Sequence, residues 1–229
     1  VPFIFAGVLG IINVVSVFFF LPETHHNRSA NTGITFLKAL HNIEAAFKDH
    51  DVRPLYFAGF LSMLGFAFFT TFISIYLVAK FAFTEAVTGT YFAIVGVWII
   101  FAQVVVIRLL ARRFSNQQLL LWALPVLAAV IAIHPFLPNV ALLYVIMPIM
   151  TAAFGIVTTS LPALVSEGVS SDRQGAALGI NGSLQALSQG IAPLAAGLAS
   201  GIFVITFSFV FGAILVLGSF YIVHRMQRR

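Results

Sequence analysis

The hydrophobic positions of this chain form long, nearly uninterrupted stretches, with polar residues gathered between them. Each stretch is close to the ~20 residues that a helix needs to cross the hydrocarbon core of a bilayer. Membrane barrel strands would instead show ~10 alternating residues, so the pattern favours helices. We predict an all-α membrane protein with seven transmembrane helices, at residues 2–21, 54–79, 86–109, 119–134, 140–165, 176–200 and 202–223.

The basic residues between these spans predict how the chain is oriented. Membrane proteins carry an excess of Lys and Arg in their cytoplasmic loops. Eleven of the twelve Lys and Arg residues fall on one side of the predicted bilayer, and Lys80 alone falls on the other. The linker after the first span and the C-terminus are therefore expected in the cytoplasm. An external start without an initiating Met predicts that an N-terminal half of the same protein precedes this chain.

The connection after the first span is far longer than the others, which is typical of a linker between two membrane halves. Five apolar residues between Phe36 and Phe47 recur at helical spacing, so this linker is expected to contain an amphipathic helix at the membrane surface. Residues 1–21 are then a helix belonging to the preceding N-terminal half, and residues 22–53 a cytoplasmic linker. Residues 54–229 are expected to form a C-terminal six-helix bundle.

Composition supports lipid as the solvent and narrows the chemistry. Only 8% of the residues are charged, against about 25% in average soluble domains. The absence of Cys excludes disulfides and thiolate metal sites, and neither a cofactor nor a metal is expected. Glu23, His25 and His26 lie in a linker without a defined ligand geometry. The net charge of +5 comes from residues at helix ends, so no nucleic-acid partner is expected.

Six spans after a linker suggest a three-plus-three inverted repeat, a common plan for one half of a transporter. Residues 89–103 and 175–189 each have Gly at the first and eighth positions and Gln at the fifteenth. They are the middle helices of the two proposed triplets and would run in opposite directions. Small residues at these spacings also serve ordinary helix packing.

Three segments together resemble a known family. They are FFFLPET at residues 18–24 before the polar linker, Gln103 with Arg108, Arg112 and Arg113, and residues 161–197 with a QG pair opening a helix. The chain resembles helices six to twelve of the major facilitator superfamily, in its drug:proton antiporter, tetracycline-efflux-like branch. The resemblance implies efflux of a small-molecule substrate, drug resistance, protons as the coupling ion and a multi-pass location in the bacterial inner membrane.

All seven acidic residues fall in connections or at helix ends, and His134 beside Pro135 is expected at an external helix terminus. The proton-coupling carboxylates are therefore expected in the preceding half, as the resemblance implies.

The family plan makes the seventh and tenth helices line a cavity, with the eighth and eleventh beside them. Aromatic rings and a few fixed hydrogen-bonding groups suit a small ligand there. Any one of these side chains could instead contact only a neighbouring helix or lipid. The candidate substrate-binding residues are Phe66, Phe69, Thr70, Tyr91, Trp98, Gln103, Thr151, Phe154, Thr158, Asn181 and Gln185. The candidate hinge or gating residues are Pro148, Gly155, Gly190, Pro193 and Gly197.

The prediction is a secondary active transporter that exports small hydrophobic or amphipathic compounds by proton-coupled alternating access. Two alternatives remain open: a seven-helix receptor or sensor, and a superfamily importer of another small solute. A retinal protein needs a Lys in its last helix, and residues 202–223 contain none. An enzyme is not expected, because no nucleophile, carboxylate pair or ligand set clusters at one depth.

Overall fold

The computed structural model describes residues 2–20, 52–197 and 202–227, and all regular structure in these ranges is helical. The helices are α1 (Pro2–Phe20), α2 (Arg53–Phe81), α3 (Glu85–Phe101), α4 (Arg108–Ala111), α5 (Asn116–Ile133), α6 (Val140–Glu167), α7 (Gln174–Gly197) and α8 (Ile202–Gln227). A π-helical segment, Ala102–Ile107, joins α3 to α4, and a 3-10 turn, His134–Phe136, follows α5.

The chain divides into two units, Val1–Ala39 and Leu40–Arg229. In the first unit, α1 is an apolar helix whose large side chains are exposed, including Ile4 and Phe18. The second unit contains α2 to α8. The predicted amphipathic helix and most of the predicted linker, residues 22–53, lie outside the described residues, and the predicted domain boundaries stay predictions.

Five helical segments are long and apolar enough to cross a membrane, among the residues that the structure describes: Arg53–Phe81, Glu85–Ala111, Asn116–Phe136, Val140–Glu167 and Ile205–Gln227. They coincide with five of the seven predicted spans. Helix α7 covers the described part of the predicted span 176–200 but is not one of the five, since it carries several Gly, Ser, Asn and Gln residues. Within α1 the apolar helix Gly7–Phe20 is shorter. The seven-span count and the inverted repeat therefore stay predictions.

Polar caps set where several helices begin. The Ser115 hydroxyl accepts a hydrogen bond from the backbone of Gln118, and the Gln118 side chain accepts one from the backbone of Ser115. This capping box satisfies backbone N–H groups that would otherwise lack partners in the first turn. Helix α5 accordingly begins three residues before the start expected from hydrophobicity alone. Asn139 caps α6 in a similar way, through the backbone N–H of Leu142.

Helix α2 ends because Ala82 adopts a left-handed backbone conformation, with φ of 53°. The backbone N–H groups of Ala82 and Phe83 donate to the carbonyls of Val78 and Leu77, which satisfies the last turn of the helix. The next cap is Thr84, whose hydroxyl accepts from the backbone of Val87. Helix α3 therefore begins directly after α2, which makes these two helices antiparallel neighbours in the chain.

The second unit is built around α2, α5, α6 and α8. Helix α2 packs along α8, and α5 packs against both α6 and α8. Leu124, Leu127 and Ile131 of α5 are completely buried in this core. Helix α7 packs mainly on α2, while α3 packs on α6 with Tyr91 as its buried residue. The outer helices α3 and α7 thus leave large parts of their surfaces exposed.

Helices α2 and α8 approach each other closely at a pair of glycines. A Cβ atom on Gly212 would lie 2.5 Å from the carbonyl oxygen of Gly65, and a Cβ on Gly65 would meet the carbonyl oxygen of Gly212. Backbone therefore packs directly on backbone at this crossing. Close approach through small residues is a main source of helix association in lipid, where no hydrophobic force drives helices together.

Candidate functional site

A stacked pair of rings lies near the middle of α2 and α6. The rings of Phe66 and Phe154 are 3.7 Å apart between centroids, with an angle of 16° between their planes. Phe69 is one helical turn further along α2, with its ring centroid 5.8 Å from that of Phe66. Phe69 is only 2% exposed, whereas Phe66 and Phe154 are half-buried. The stacked pair thus leaves part of its aromatic surface exposed, and the buried Phe69 lies next to Phe66 on α2.

An amide lies against the residue after Phe154 on α6, and a hydroxyl lies one turn further along the same helix. Helix α6 has Gly155 next to Phe154, and a Cβ on Gly155 would lie 3.8 Å from the Nε2 atom of Gln103. The Thr158 hydroxyl, one turn along α6, donates to the carbonyls of Phe154 and Gly155 at 3.1 and 3.0 Å. Gln103 belongs to the π-helical segment and is exposed. The lack of a side chain at Gly155 is what lets this segment, with Ile107, approach α6.

The π-helical segment has a physical consequence for the site. A π-helical turn holds an extra residue, so the residues on either side of it are rotated relative to a regular helix. Such turns occur frequently at functional sites. The segment Ala102–Ile107 includes Gln103, so the direction of this amide is set by local backbone geometry that the sequence pattern did not predict.

Helix α7 brings polar side chains against α2. Asn181 is 4% exposed, and its Oδ1 atom would lie 3.2 Å from a Cβ on Gly59. The Ser188 hydroxyl, two turns along α7, donates to the carbonyls of Phe60 and Leu184 at 3.1 and 2.9 Å. Gln185 lies between them in sequence and is half-buried. The sequence interpretation included Asn181 and Gln185 but missed Ser188, which the seven-residue spacing from Asn181 could have indicated.

The hydroxyls of Thr70 and Thr151 bond within their own helices. Thr70 is exposed and donates to the carbonyl of Ala67 at 3.1 Å. Thr151 is buried and donates to the carbonyl of Pro148 at 3.1 Å. Bonds of this kind satisfy a hydroxyl in an apolar helix without any outside partner. The structure places neither hydroxyl in a contact between helices.

The remaining two candidate rings belong to other aromatic groups. Tyr91 is buried, with its ring 6.0 Å from Tyr144 and 5.5 Å from Phe92 between centroids. Trp98 is half-buried and meets Phe101 edge to face at 5.6 Å. The ring contacts of both side chains therefore differ from those of the Phe66–Phe154 pair.

His134 stands where α5 ends, as expected, and its side chain is buried. Its Nδ1 atom is 2.7 Å from the carbonyl oxygen of Val130, and its ring packs on Phe69 at 4.7 Å between centroids. The Tyr76 hydroxyl donates to the carbonyl of His134, and the Lys80 ammonium donates to the carbonyl of Pro135 at 2.7 Å. These bonds fasten the end of α2 to the end of α5, and they occupy the turn in a structural role.

The candidate hinge residues lie in continuous helices. Pro148 is inside α6 and Pro193 inside α7, and neither helix is interrupted. Gly155 is closely packed, since a Cβ there would lie 3.0 Å from Ile107, while Gly190 has open space around it. Gly197 is the last residue of α7. Their role in motion stays a prediction.

Comparison with known proteins identifies the class. The family model described as Major Facilitator Superfamily matches residues 1–193. The chain belongs to this superfamily and is a multi-pass membrane protein of a transporter family.

The fold is similar to that of a solved structure, "Crystal structure of the human organic anion transporter MFSD10 (TETRAN)". The TM-score is 0.80 at 20% sequence identity, and the match covers 94% of this chain and 55% of that one. The chain therefore spans about half the length of this relative. No curated protein matches the chain at a significant level.

Proposed function

We propose that this chain is the C-terminal part of a secondary active transporter that moves small hydrophobic or amphipathic compounds by alternating access. The observation that carries the proposal is the half-buried Phe66–Phe154 stack, with Thr158 one turn along α6 and Gln103 against the neighbouring Gly155. Substrate sites in such transporters lie near the bilayer midplane between the two halves. The stack lies near the middle of both of its helices, on surface that a preceding half of the protein could cover.

The charge distribution supports a neutral or weakly polar substrate. Every charged side chain that the structure describes lies at a helix end or in a connection, including Arg53, Lys80, Arg108, Glu167 and Arg225. A charged substrate would find no ion-pairing partner near the aromatic stack, and an unpaired charge away from water is costly. Rings and amides instead provide apolar contact and orienting hydrogen bonds.

Proton coupling, export and a bacterial inner membrane are the finer parts of the proposal. The described part of this half has no carboxylate at mid-depth, so the coupling groups would lie in the preceding half, with this half supplying substrate contacts. The basic residues near the ends of α4 and α8, against Lys80 alone at the opposite end, favour a cytoplasmic linker and C-terminus. The match to the Major Facilitator Superfamily, a family of transporters, supports a transport role rather than an enzymatic one.

An organic anion is the second candidate substrate class, because the similar human structure is titled an organic anion transporter. The absence of a basic side chain near the stack, within the described spans, favours the neutral class. Measuring transport of a neutral compound and of an organic anion by the same protein distinguishes the two substrate classes.

Transport by the full-length protein in proteoliposomes tests the proposal. With an imposed difference of one pH unit, we expect about tenfold accumulation of a neutral amphipathic dye at one proton per substrate, since this difference is about 1.4 kcal/mol. An ionophore that dissipates the gradient should abolish the accumulation. Gradient-independent equilibration would refute proton coupling. Saturable transport of a fluorescent organic anion, with none of the neutral dye, would support the second class instead.

A further inference from the structure

A second concave surface lies between α4, α5 and α6, and none of the candidate substrate-binding residues lines it. It is a groove of about 400 Å³, within the range of ~300–1,000 Å³ typical of ligand sites. Leu110, Trp122, Val126, Ile149 and Ala152 are among its walls. Because the lining is almost entirely hydrocarbon, the groove suits an apolar occupant.

One end of this groove is basic. Leu110 lines the groove, and its carbonyl accepts hydrogen bonds from the backbone N–H groups of Arg113 and Phe114, both at 3.0 Å. The turn that carries Arg112 and Arg113 is therefore fixed at the end of the groove. Arg108 lies on α4, the helix that contains Leu110. The side chains of Arg108, Arg112 and Arg113 are all exposed. They are free to reach a charged group at the mouth of the groove.

The excess of positive charge persists at this end of the bundle. The Glu167 carboxylate accepts a hydrogen bond of 2.9 Å from the side-chain amide of Asn116, at the start of α5. In the described part of the chain, Glu167 and Asp172 are the two carboxylates at this end, and the three arginines outnumber them. Within the described residues, no salt bridge neutralises Arg112 or Arg113. An anion is the complementary partner.

An aromatic side chain marks the depth of the groove in the bilayer. Trp122 is 53% exposed on the groove wall, and Phe114 meets it edge to face at 4.7 Å between centroids. Exposed Trp is enriched at the boundary between hydrocarbon and headgroups. The arginines come just before this aromatic pair in the chain, so they lie toward the headgroups, with the apolar groove reaching into the hydrocarbon.

We propose that this groove holds one acyl chain of an anionic phospholipid, with the lipid phosphate between Arg112 and Arg113. The two ends of the site require an occupant that is apolar along its length and anionic at its tip. A free phosphate would leave the groove unfilled, and a purely apolar compound would leave the arginines unpaired. Basic pockets between transmembrane helices are known to recognise anionic headgroups in this way.

Lipid competition for Trp122 tests the proposal on the full-length protein. The chain contains two Trp residues, Trp98 and Trp122. Replacing Trp98 by Phe therefore leaves Trp122 as the one Trp fluorophore of this chain. Brominated phosphatidylglycerol and brominated phosphatidylcholine, with identical acyl chains, compete to quench its fluorescence. We expect phosphatidylglycerol to bind about tenfold more strongly, because each basic residue near the surface favours an anionic lipid.

Two variants and one control complete the design. Arg112→Gln with Arg113→Gln should bring the two lipids to equal binding, and Ala152→Phe should weaken quenching by filling the groove. Arg173→Gln with Arg225→Gln removes the same charge from exposed positions elsewhere and should leave the preference intact. Soluble glycerol phosphate should not compete. Equal quenching by both lipids in the parent protein, or an equal loss in the control variant, would overturn the proposal.

Discussion

The Gly212→Ala variant is expected to be about 2–3 kcal/mol less stable than the parent protein, with a thermal midpoint about 5–10 °C lower. The added Cβ would lie 2.5 Å from the carbonyl oxygen of Gly65 and 3.4 Å from its carbonyl carbon. Both atoms belong to the backbone of α2, so no side chain can rotate away and the two helices must separate. The measurement is thermal unfolding of the purified protein in detergent, followed by intrinsic fluorescence.

Gly218→Ala is the matched control on the same helix. A Cβ there would meet only the end of the Leu61 side chain, at 3.5 Å, which is ordinary van der Waals contact. Since Ala is a better helix former than Gly by up to about 1 kcal/mol, this variant should be as stable as the parent or slightly more stable. Gly65→Ala should repeat the loss seen at Gly212. Equal stability of Gly212→Ala and Gly218→Ala would show that α2 and α8 do not cross at these glycines.

The second large effect is expected on transport. Replacing Phe154 by Ala should lower the apparent substrate affinity about tenfold, with a smaller change in thermal stability. The substitution removes a ring stacked on Phe66 at 3.7 Å, an arrangement worth about 0.5–1.5 kcal/mol beyond the buried area, together with surface that we propose contacts the substrate. Uptake rates measured over a range of dye concentrations separate a change in KM from a change in maximal rate.

Phe207→Ala is the control for this experiment. Phe207 is 67% exposed on α8, and its replacement by Ala removes a ring of the same size as that of Phe154. Its removal should leave KM unchanged, because the ring faces away from the bundle. Phe66→Ala should resemble Phe154→Ala. The substrate-binding role of the stack would be refuted if Phe207→Ala raised KM as much as Phe154→Ala, or if Phe154→Ala altered only stability.

The helices were the most predictable part of the fold. Continuous hydrophobicity is enough to place a span, and α2 extends only one or two residues beyond the predicted 54–79 at each end. The ends were harder, because they depend on polar caps rather than on hydrophobicity. Ser115 with Gln118 carries a readable capping signal, which explains the early start of α5. The left-handed Ala82 carries none, since this conformation is unfavourable for Ala and is imposed by the surrounding structure.

Contacts between helices could not be predicted from hydrophobicity. Gly65 and Gly212 are two of 17 glycines, and nothing in their local sequence indicates that they meet. The same holds for Phe66 and Phe154 among 25 phenylalanines: the sequence interpretation selected both, but their stacking depends on how α2 and α6 are placed. The π-helical segment that contains Gln103 has no Gly or Pro that would have indicated it in the sequence. It packs on Gly155 of α6, a contact that the local sequence does not reveal.

The most direct test of the central claim asks whether water reaches the face formed by α2, α6, α7 and the π-helical segment. The chain contains no Cys, so single cysteines introduced at Gln103, Thr158 and Gln185 report on that face without background from this part of the protein. Cysteines at Phe207 and Ile214, exposed on α8, report on the surface expected to contact lipid. We predict that a membrane-impermeant thiol reagent labels the first three positions, more slowly when substrate is present, and leaves the last two unlabelled. Equal labelling of both sets, or labelling of Phe207 and Ile214 alone, would contradict the account.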